Sequence, residues 1–438
     1  MSTVIPGDEL PGDPVPSGEA APAGASPGDA AAGGAPAAVP PGAPVRLYPL
    51  TYLDEGDEVT VGRPDIDSYA VLPADGAALL RRLGDGVPPA QAAAWYRQTY
   101  GEPVDIDDFV DTLRELDFVR QADDDAEPAA RPVRWRALGA AVFSPVGAVC
   151  LAALLTAWVV AMVRSPGLVP TYHNLFFTRY MTVLELVTFV CQFPLILLHE
   201  AAHALAGRRL GLRSRLSIGR RLYYVVFQTT MDGLVSVPRR KRYVPMLAGI
   251  LTDLAVLAAL TLGAAATEGP DGHPSTTGRI LLALAYMTLL RVSWQLWFYL
   301  ETDLYYVVVT VLDCVDLQAT ARDVLRQRLN RLLGRPHTVP DETRWHPRDL
   351  SVSRWYSWLL LVGWTVSIGT LLAGVLPVAV RVLSTVLGRL VTSHTHGTAG
   401  LLDSVGFLVI NLAQLAVIAH LVRRERRARR ARSSDVPS

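Results

Sequence analysis

His199-Glu200-Ala201-Ala202-His203 is the stretch of this 438-residue chain whose residue types and spacing point most directly to chemistry. On a helix, residues four apart share a face, so both imidazoles can turn onto one metal ion. Glu200 stands beside them, where a carboxylate can take a proton from a metal-activated water. With 9 His and 13 Glu in the chain, roughly 0.005 matches of this kind arise by chance. The competing reading is a pair of buried histidines that only make hydrogen bonds. It loses weight because the motif closes a long apolar run, where ionisable groups are costly and functional by default. Two histidines leave zinc short of ligands: a catalytic site takes a third from the protein and keeps one position open for water. Asp303, near the end of another apolar segment, is the expected third ligand. Glu301 is its local competitor, with Asp313, Asp316 and His420 as further alternatives.

Those residues need long apolar elements to position them, and the composition supplies them. Mean hydropathy is +0.26, and only 19% of residues are charged. Six apolar segments, at about 138–163, 181–206, 244–266, 279–300, 355–381 and 401–422, approach or exceed the roughly 20 residues that cross a bilayer. The expected fold class is therefore a mainly α membrane protein with six transmembrane helices and a small cytoplasmic α+β domain at the N-terminus. Net charge is zero, yet the charges are distributed unevenly. The connection 207–243 carries 10 Lys/Arg, 314–354 carries 8 Arg and the tail 423–432 carries 7 Arg, whereas 267–278 carries none. The excess of basic residues marks the cytoplasmic side, which puts both termini inside the cell membrane. An even number of spans independently agrees. By this topology the second and fourth segments both run inward, so His199 and Asp303 reach the same depth. His394 and His396 fall on the far side.

Other intramembrane polar groups read as packing. Glu185 lies about 21 Å along the helix from His199, too far to share a metal. Arg291 is expected to pair with Glu185 or Asp253. The three cysteines, Cys150, Cys191 and Cys314, are scattered without a CxxC, which excludes a disulfide scaffold and a thiolate zinc knuckle. The start of the chain has no basic region followed by an apolar one, so no cleavable signal peptide is expected. No paired broken helices or inverted repeat point to a transporter.

Residues 1–44 hold 10 Pro, 8 Gly and 11 Ala and read as a disordered leader. Residues 45–121 read as a folded unit. A hairpin over Val45–Leu53 and Glu58–Leu72 turns at Asp54-Glu55-Gly56-Asp57. Three short helices follow, the first over 74–84, the second from Pro88-Pro89 to Gly101 and the third from Asp105. The arrangement is winged-helix-like. Its 7 Arg against 15 Asp/Glu over 46–121 give the wrong sign for phosphate, so no nucleic-acid partner is expected. An acidic-to-basic linker (122–136), the membrane domain (137–422) and a basic tail (423–438) complete the organisation. Within the membrane domain, 214–236 favours β structure and reads as a hairpin beside the HExxH helix, able to present an edge to an extended substrate.

The motifs resemble the site-2 protease family of intramembrane zinc metalloproteases, over roughly 180–315. The HExxH of His199–His203 matches the family's first motif. Ala248-Gly249-Ile250-Leu251-Thr252-Asp253 is similar to its AGPxxN signature, with Ile for Pro and Asp for Asn. Asp303-Leu304-Tyr305-Tyr306 is similar to the DGYY of the peptide zinc metalloprotease branch, with Leu for Gly. The resemblance implies Zn²⁺ on His199, His203 and Asp303, Glu200 as catalytic base and a substrate-positioning role for Asp253. The N-terminal domain resembles the PqqD-like elements that recognise leader segments of ribosomally made peptides. That implies a peptide or membrane-bound precursor as substrate and a role in peptide maturation, with modification enzymes or a peptide exporter as partners. The altered motifs at 250, 253 and 304 motivate a second reading, a non-catalytic factor that zinc stabilises and that holds a peptide for maturation or export.

Overall fold

The computed structural model describes residues 3–5, 44–56, 58–66, 68–120, 133–221, 224–269, 274–334, 345–391 and 393–434. Most of the leader and most of the linker after residue 120 lie outside them. The chain divides into two compact units: Met1–Arg134 with Met231–Arg242, and Trp135–Thr230 with Tyr243–Ser438.

The first unit is an antiparallel sheet followed by three helices. Its strands are β1 (Thr3–Ile5), β2 (Thr51–Glu55), β3 (Glu58–Arg63) and β4 (Ser68–Pro73), in the order β1-β4-β3-β2. The expected second arm of the hairpin is thus two strands, because the chain turns at 64–66 and returns as β4, with Val61 opposite Ala70. Within the expected leader, Thr3–Ile5 pairs with the free edge of β4. Helices α1 (Ala74–Gly84), α2 (Pro89–Tyr100) and α3 (Ile106–Glu115) begin and end close to their sequence signals. Pro89 opens α2, Gly101 closes it with φ +80°, and Asp105 caps α3 by accepting from the Asp108 amide. Leu79, Leu80, Leu83, Leu113 and Phe118 bury against Val59, Val61 and Leu72 of the sheet. Tyr96 donates a hydrogen bond to Asp75. The bond holds the carboxyl below its ordinary range and pushes the tyrosine hydroxyl up to about 12. Residues 231–242 belong to this unit: Arg239 and Arg242 donate to the two oxygens of Glu55 at 3.2 and 3.3 Å.

Among the described residues, the second unit is helical apart from one strand pair. It contains α4 (Arg136–Val142), α5 (Pro145–Arg164), α6 (Met181–Arg209), the pair β5 (Arg213–Arg221) and β6 (Tyr224–Asp232), and α7 (Arg239–Ala266). These are followed by α8 (Thr276–Trp294), α9 (Asp303–Leu312), α10 (Leu317–Leu332), α11 (Pro347–Gly369), α12 (Leu376–Val391) and α13 (Ser393–Ser434). Two of these elements, β6 and α7, start or end in the first unit. Among the described residues, five helices are long and apolar enough to cross a membrane, or up to six if the bent pair α9–α10 counts as one span. α8, which covers the fourth expected segment, is 19 residues long, ends at Trp294 and is not among the five. Glycine and proline do not stop it. The chain leaves the helix at Gln295, which binds the following segment through its side chain. The expected connection 382–400 is largely helical, since α11 runs through a π-helical turn (Thr370–Val375) into α12. No residue of α5 is buried, and Val146, Val149 and Val163 are each more than two-thirds exposed. Apolar surface of this extent marks a face for a bilayer or for another protein.

Three contacts hold the frame around α6. Gly139 of α4 faces the Leu205 carbonyl so closely that a side chain there would collide with it. Asp403 of α13 accepts from the Met181 and Thr182 amides at 3.2 and 2.9 Å, satisfying donors that open every helix. Glu185 accepts from Asn411 and Gln414 of α13 at 3.0 and 3.1 Å. Glu185 therefore does not pair with Arg291, because a partner on the adjacent helix is nearer. The α9–α10 elbow, bent by 88°, is tied by Asp349, whose oxygens accept from the Val315 and Asp316 amides at 2.9 Å each. Replacing Asp403 by Ala orphans two partly buried N–H groups at a cost of about 1–3 kcal/mol. The expected outcome is a lower thermal midpoint in detergent, partly restored in Asp403→Asn.

Candidate metal centre

Two adjacent helices and the start of a third build the centre. α6 carries His199, Glu200 and His203 on its buried side, at 5%, 8% and 5% exposure. α7 packs antiparallel to it and presents Pro245, Gly249 and Asp253, spaced four residues apart on one face. His203 Nδ1 lies 2.7 Å from the Pro245 carbonyl oxygen. A carbonyl only accepts, so Nδ1 carries the proton and Nε2 of a neutral ring presents a bare lone pair. His199 Nδ1 lies 2.9 Å from Asp253 Oδ2, which orients that ring in the same sense. Between these two contacts sits Gly249, where a Cβ would collide with both imidazoles. The Ala248-Gly249 pair is thus a passage for the rings, and any larger residue at 249 closes it.

The two Nε2 atoms are 3.3 Å apart. Asp303 Oδ2 lies 3.1 Å from one and 3.2 Å from the other. Among the described residues, His199, His203 and Asp303 form the group of His, Cys, Asp or Glu able to hold a metal ion. Ligands about 2.0–2.1 Å from a tetrahedral ion stand about 3.3 Å from each other, so the observed spacings fit one. Two lone pairs and a carboxylate oxygen also repel at this range unless a cation or proton lies among them.

His199 and Asp303 have further support behind them. Asp253, fully buried, accepts a forked pair from Arg291 of α8, Nη2 to Oδ1 at 2.6 Å and Nε to Oδ2 at 2.9 Å. Arg291 Nη1 reaches Gln192 at 3.0 Å, and Gln192 donates to the Leu284 carbonyl. Both carboxylate oxygens of Asp253 are thus engaged behind His199, which leaves none to face a substrate. Gln295 grips Asp303 at both ends: its Nε2 donates to Oδ2 at 3.0 Å, and its Oε1 accepts from the Asp303 amide at 3.1 Å. The Thr302 hydroxyl donates to the Gln295 carbonyl, closing the loop that carries Asp303 to the start of α9.

The competitors go elsewhere. Glu301 has φ +56°, a left-handed residue that turns its side chain to Arg322 at 2.6 Å. Asp316 caps α10 through the Ala319 amide, Asp313 is exposed at the end of α9, and His420 is exposed on α13. Glu200 accepts from Thr229 of β6 at 2.7 Å, so the hairpin expected beside the HExxH helix is present and touches its carboxylate.

Sequence reasoning passed over Gln295 and Thr229 and assigned Arg291 to packing. A polar residue in an apolar run was the available signal for Gln192 and Gln295; Thr229 carried none, since threonine is ordinary in a strand. No family model, curated protein or solved structure matches this chain. Partners that orient a metal ligand are worth about 10–100-fold in affinity. Chelator competition with Zn²⁺ or Co²⁺ should show that loss for Gln295→Ala, and a larger one for Gly249→Ala.

Proposed function

We propose that this chain is a membrane-embedded zinc endopeptidase of the site-2 protease type. The observation that carries the reading is the convergence of His199, His203 and Asp303, with Glu200 on the same helix turn. Two imidazole nitrogens and one carboxylate oxygen are a zinc donor set, and three protein ligands leave a fourth position open for catalysis. A bound zinc ion supplies Lewis acidity toward water and the scissile carbonyl, bringing the water's pKa near ~7.

The chain's own residues do the rest. Glu200 takes a proton from the water whose hydroxyl adds to the carbonyl carbon. It returns that proton to the amide nitrogen as the C–N bond breaks, so that water is divided between the two new ends. Thr229 holds the Glu200 carboxylate in place. Asp253 and the Pro245 carbonyl keep both Nε2 atoms aimed inward, and Gln295 keeps Asp303 aimed at them. In this reading Asp253 positions a ligand, in place of the substrate-positioning role that the resemblance implies.

The topology in this proposal has six spans, with α8 as a short one braced by Arg291 and Asp253, and both termini in the cytoplasm of a cell membrane. The catalytic centre then lies near the cytoplasmic leaflet. The acidic first unit is a winged-helix-like, PqqD-like domain that recruits a peptide precursor, as in maturation of a ribosomally made peptide. Modification enzymes or an exporter are its partners, and nucleic acid is not. The alternative, a zinc-stabilised factor without turnover, requires a fourth protein ligand. Its candidate, Glu301, is paired with Arg322, which favours the enzyme.

Glu200→Gln tests the reading. A lost general base costs about 10²–10⁴-fold in rate, so cleavage by the reconstituted protein should fall by that factor while bound zinc stays near one equivalent. Undiminished cleavage by the variant rules the mechanism out.

A further inference from the structure

The side of α6 turned away from the two histidines carries a stripe of its own. Successive helical residues are about 100° apart, so Val190, Leu197, Ala201, Ala204 and Arg208 lie on one face, across the helix from His199 and His203. Toward the start of α6 this face is apolar and open: Leu186 is 49% exposed and Val190 57%. Between Leu197 and Arg208 it sinks into a groove of about 540 Å³, inside the roughly 300–1,000 Å³ typical of ligand sites. Ala201 and Ala204 form the floor, where a side chain that stops at Cβ leaves room. Leu138 of α4 and Leu216 of β5 line the sides, 48% and 55% exposed, and Trp135 stands at the start of α4. Glu200 and Thr229 border the groove between the two faces of α6, and Arg208 stands at one end. Its neighbour Arg209 donates to the Phe143 carbonyl at 2.6 Å, whereas among the described residues no acceptor engages the Arg208 guanidinium.

We infer that this groove holds one phospholipid of the inner leaflet, its phosphate on Arg208 and one acyl chain laid over Ala204, Ala201 and Leu197. The inference rests on the membrane-embedded reading and does not involve the metal centre. Three features fit that ligand together. The stretch from Leu197 to Arg208 covers about 16 Å of helix, close to half of a hydrocarbon core about 30 Å thick, which is the depth of one leaflet. The cationic group lies at one end, where a guanidinium without a carboxylate suits a phosphate, and apolar side chains line most of the remainder. Trp135 adds the residue type that gathers at headgroup level. In the proposed topology Arg208 is at the cytoplasmic end of α6, where the headgroup of an inner-leaflet lipid lies. Other occupants fit less well. A free phosphate leaves the leucines in water, and an extended peptide brings backbone N–H and C=O groups into a groove with few partners for them.

The test uses the full-length protein in nanodiscs containing phosphatidylglycerol with a diazirine midway along one acyl chain. After irradiation, adducts are mapped by mass spectrometry. Adducts on Leu138, Leu197, Ala204 and Leu216 should exceed those on the open face of α5 at Val146 and Val149. Two variants probe the two parts of the ligand. Arg208→Gln should lower the groove-to-α5 adduct ratio about tenfold, the size of one hydrogen bond to a charged group. Ala201→Trp fills the floor at an exposed position and should lower the ratio by a similar factor. The ratio is internal to each preparation, so partial loss of folded protein does not mimic the effect. A wild-type ratio near one, or a ratio that either variant leaves unchanged, overturns the site and leaves the membrane reading standing. Absence of adducts anywhere on the chain removes both. A photo-reactive side chain placed at position 216 should couple to lipid; coupling to a second copy of the chain or to another protein overturns the lipid as occupant.

Discussion

Three atoms that repel one another sit at van der Waals contact in the apolar heart of the second unit: two imidazole nitrogens and one carboxylate oxygen, 3.1–3.3 Å apart. Lone pairs and negative charge do not gather in a poorly solvated interior unless a cation answers them or the surroundings compel it. Both conditions are built in. The donor set matches a divalent ion, and the surroundings leave the rings no other orientation. The rest of the unit can be understood as the apparatus that enforces this convergence.

That apparatus is layered. The first layer consists of acceptors behind the rings, Asp253 and the Pro245 carbonyl, and the clamp of Gln295 on Asp303. The second is the fork of Arg291 on Asp253, itself held by Gln192. Charge bookkeeping explains why an arginine is needed in α8: Asp253, fully buried, would otherwise be an uncompensated carboxylate beside a neutral ring. The third layer is geometric. Gly249 lets the α7 backbone pass the imidazoles, Gly139 lets α4 reach α6, and the Asp349-tied elbow fixes where α9 begins. Substitution at Asp253, Gln295, Arg291, Gln192, Gly249, Gly139 or Asp349 acts on the centre without changing His199, His203 or Asp303.

The hairpin after α6 borders both the Glu200 carboxylate and a cavity beside α6. Thr229 reaches Glu200, while Leu216 and Ser214 line the neighbouring cavity. A single two-stranded element thus holds the Glu200 carboxylate and lines the space beside α6. A hairpin of this kind is separate from the helices that carry His199, His203 and Asp303, so it can vary without disturbing them.

The amino-acid sequence alone was enough to place two histidines and a glutamate on one helix turn, to outline long apolar helices, and to mark the three helices of the first unit by their caps. All of these are local: helical spacing, segment length and capping depend on residues within a few positions of each other. Tertiary structure decided what the local rules leave open. Glu301 and Asp303 are two residues apart, and only the left-handed backbone at 301 sends one to Arg322 and the other to the histidines. Asp253 became a partner of His199, and Arg291 chose Asp253 over Glu185, because of where α7, α8 and α13 cross α6. The β-favouring stretch after α6 was legible as a hairpin, yet its contact with Glu200 was not. Such pairings depend on how surfaces meet between residues 21 to 104 positions apart in the chain, and no periodicity in one segment encodes its neighbour's face.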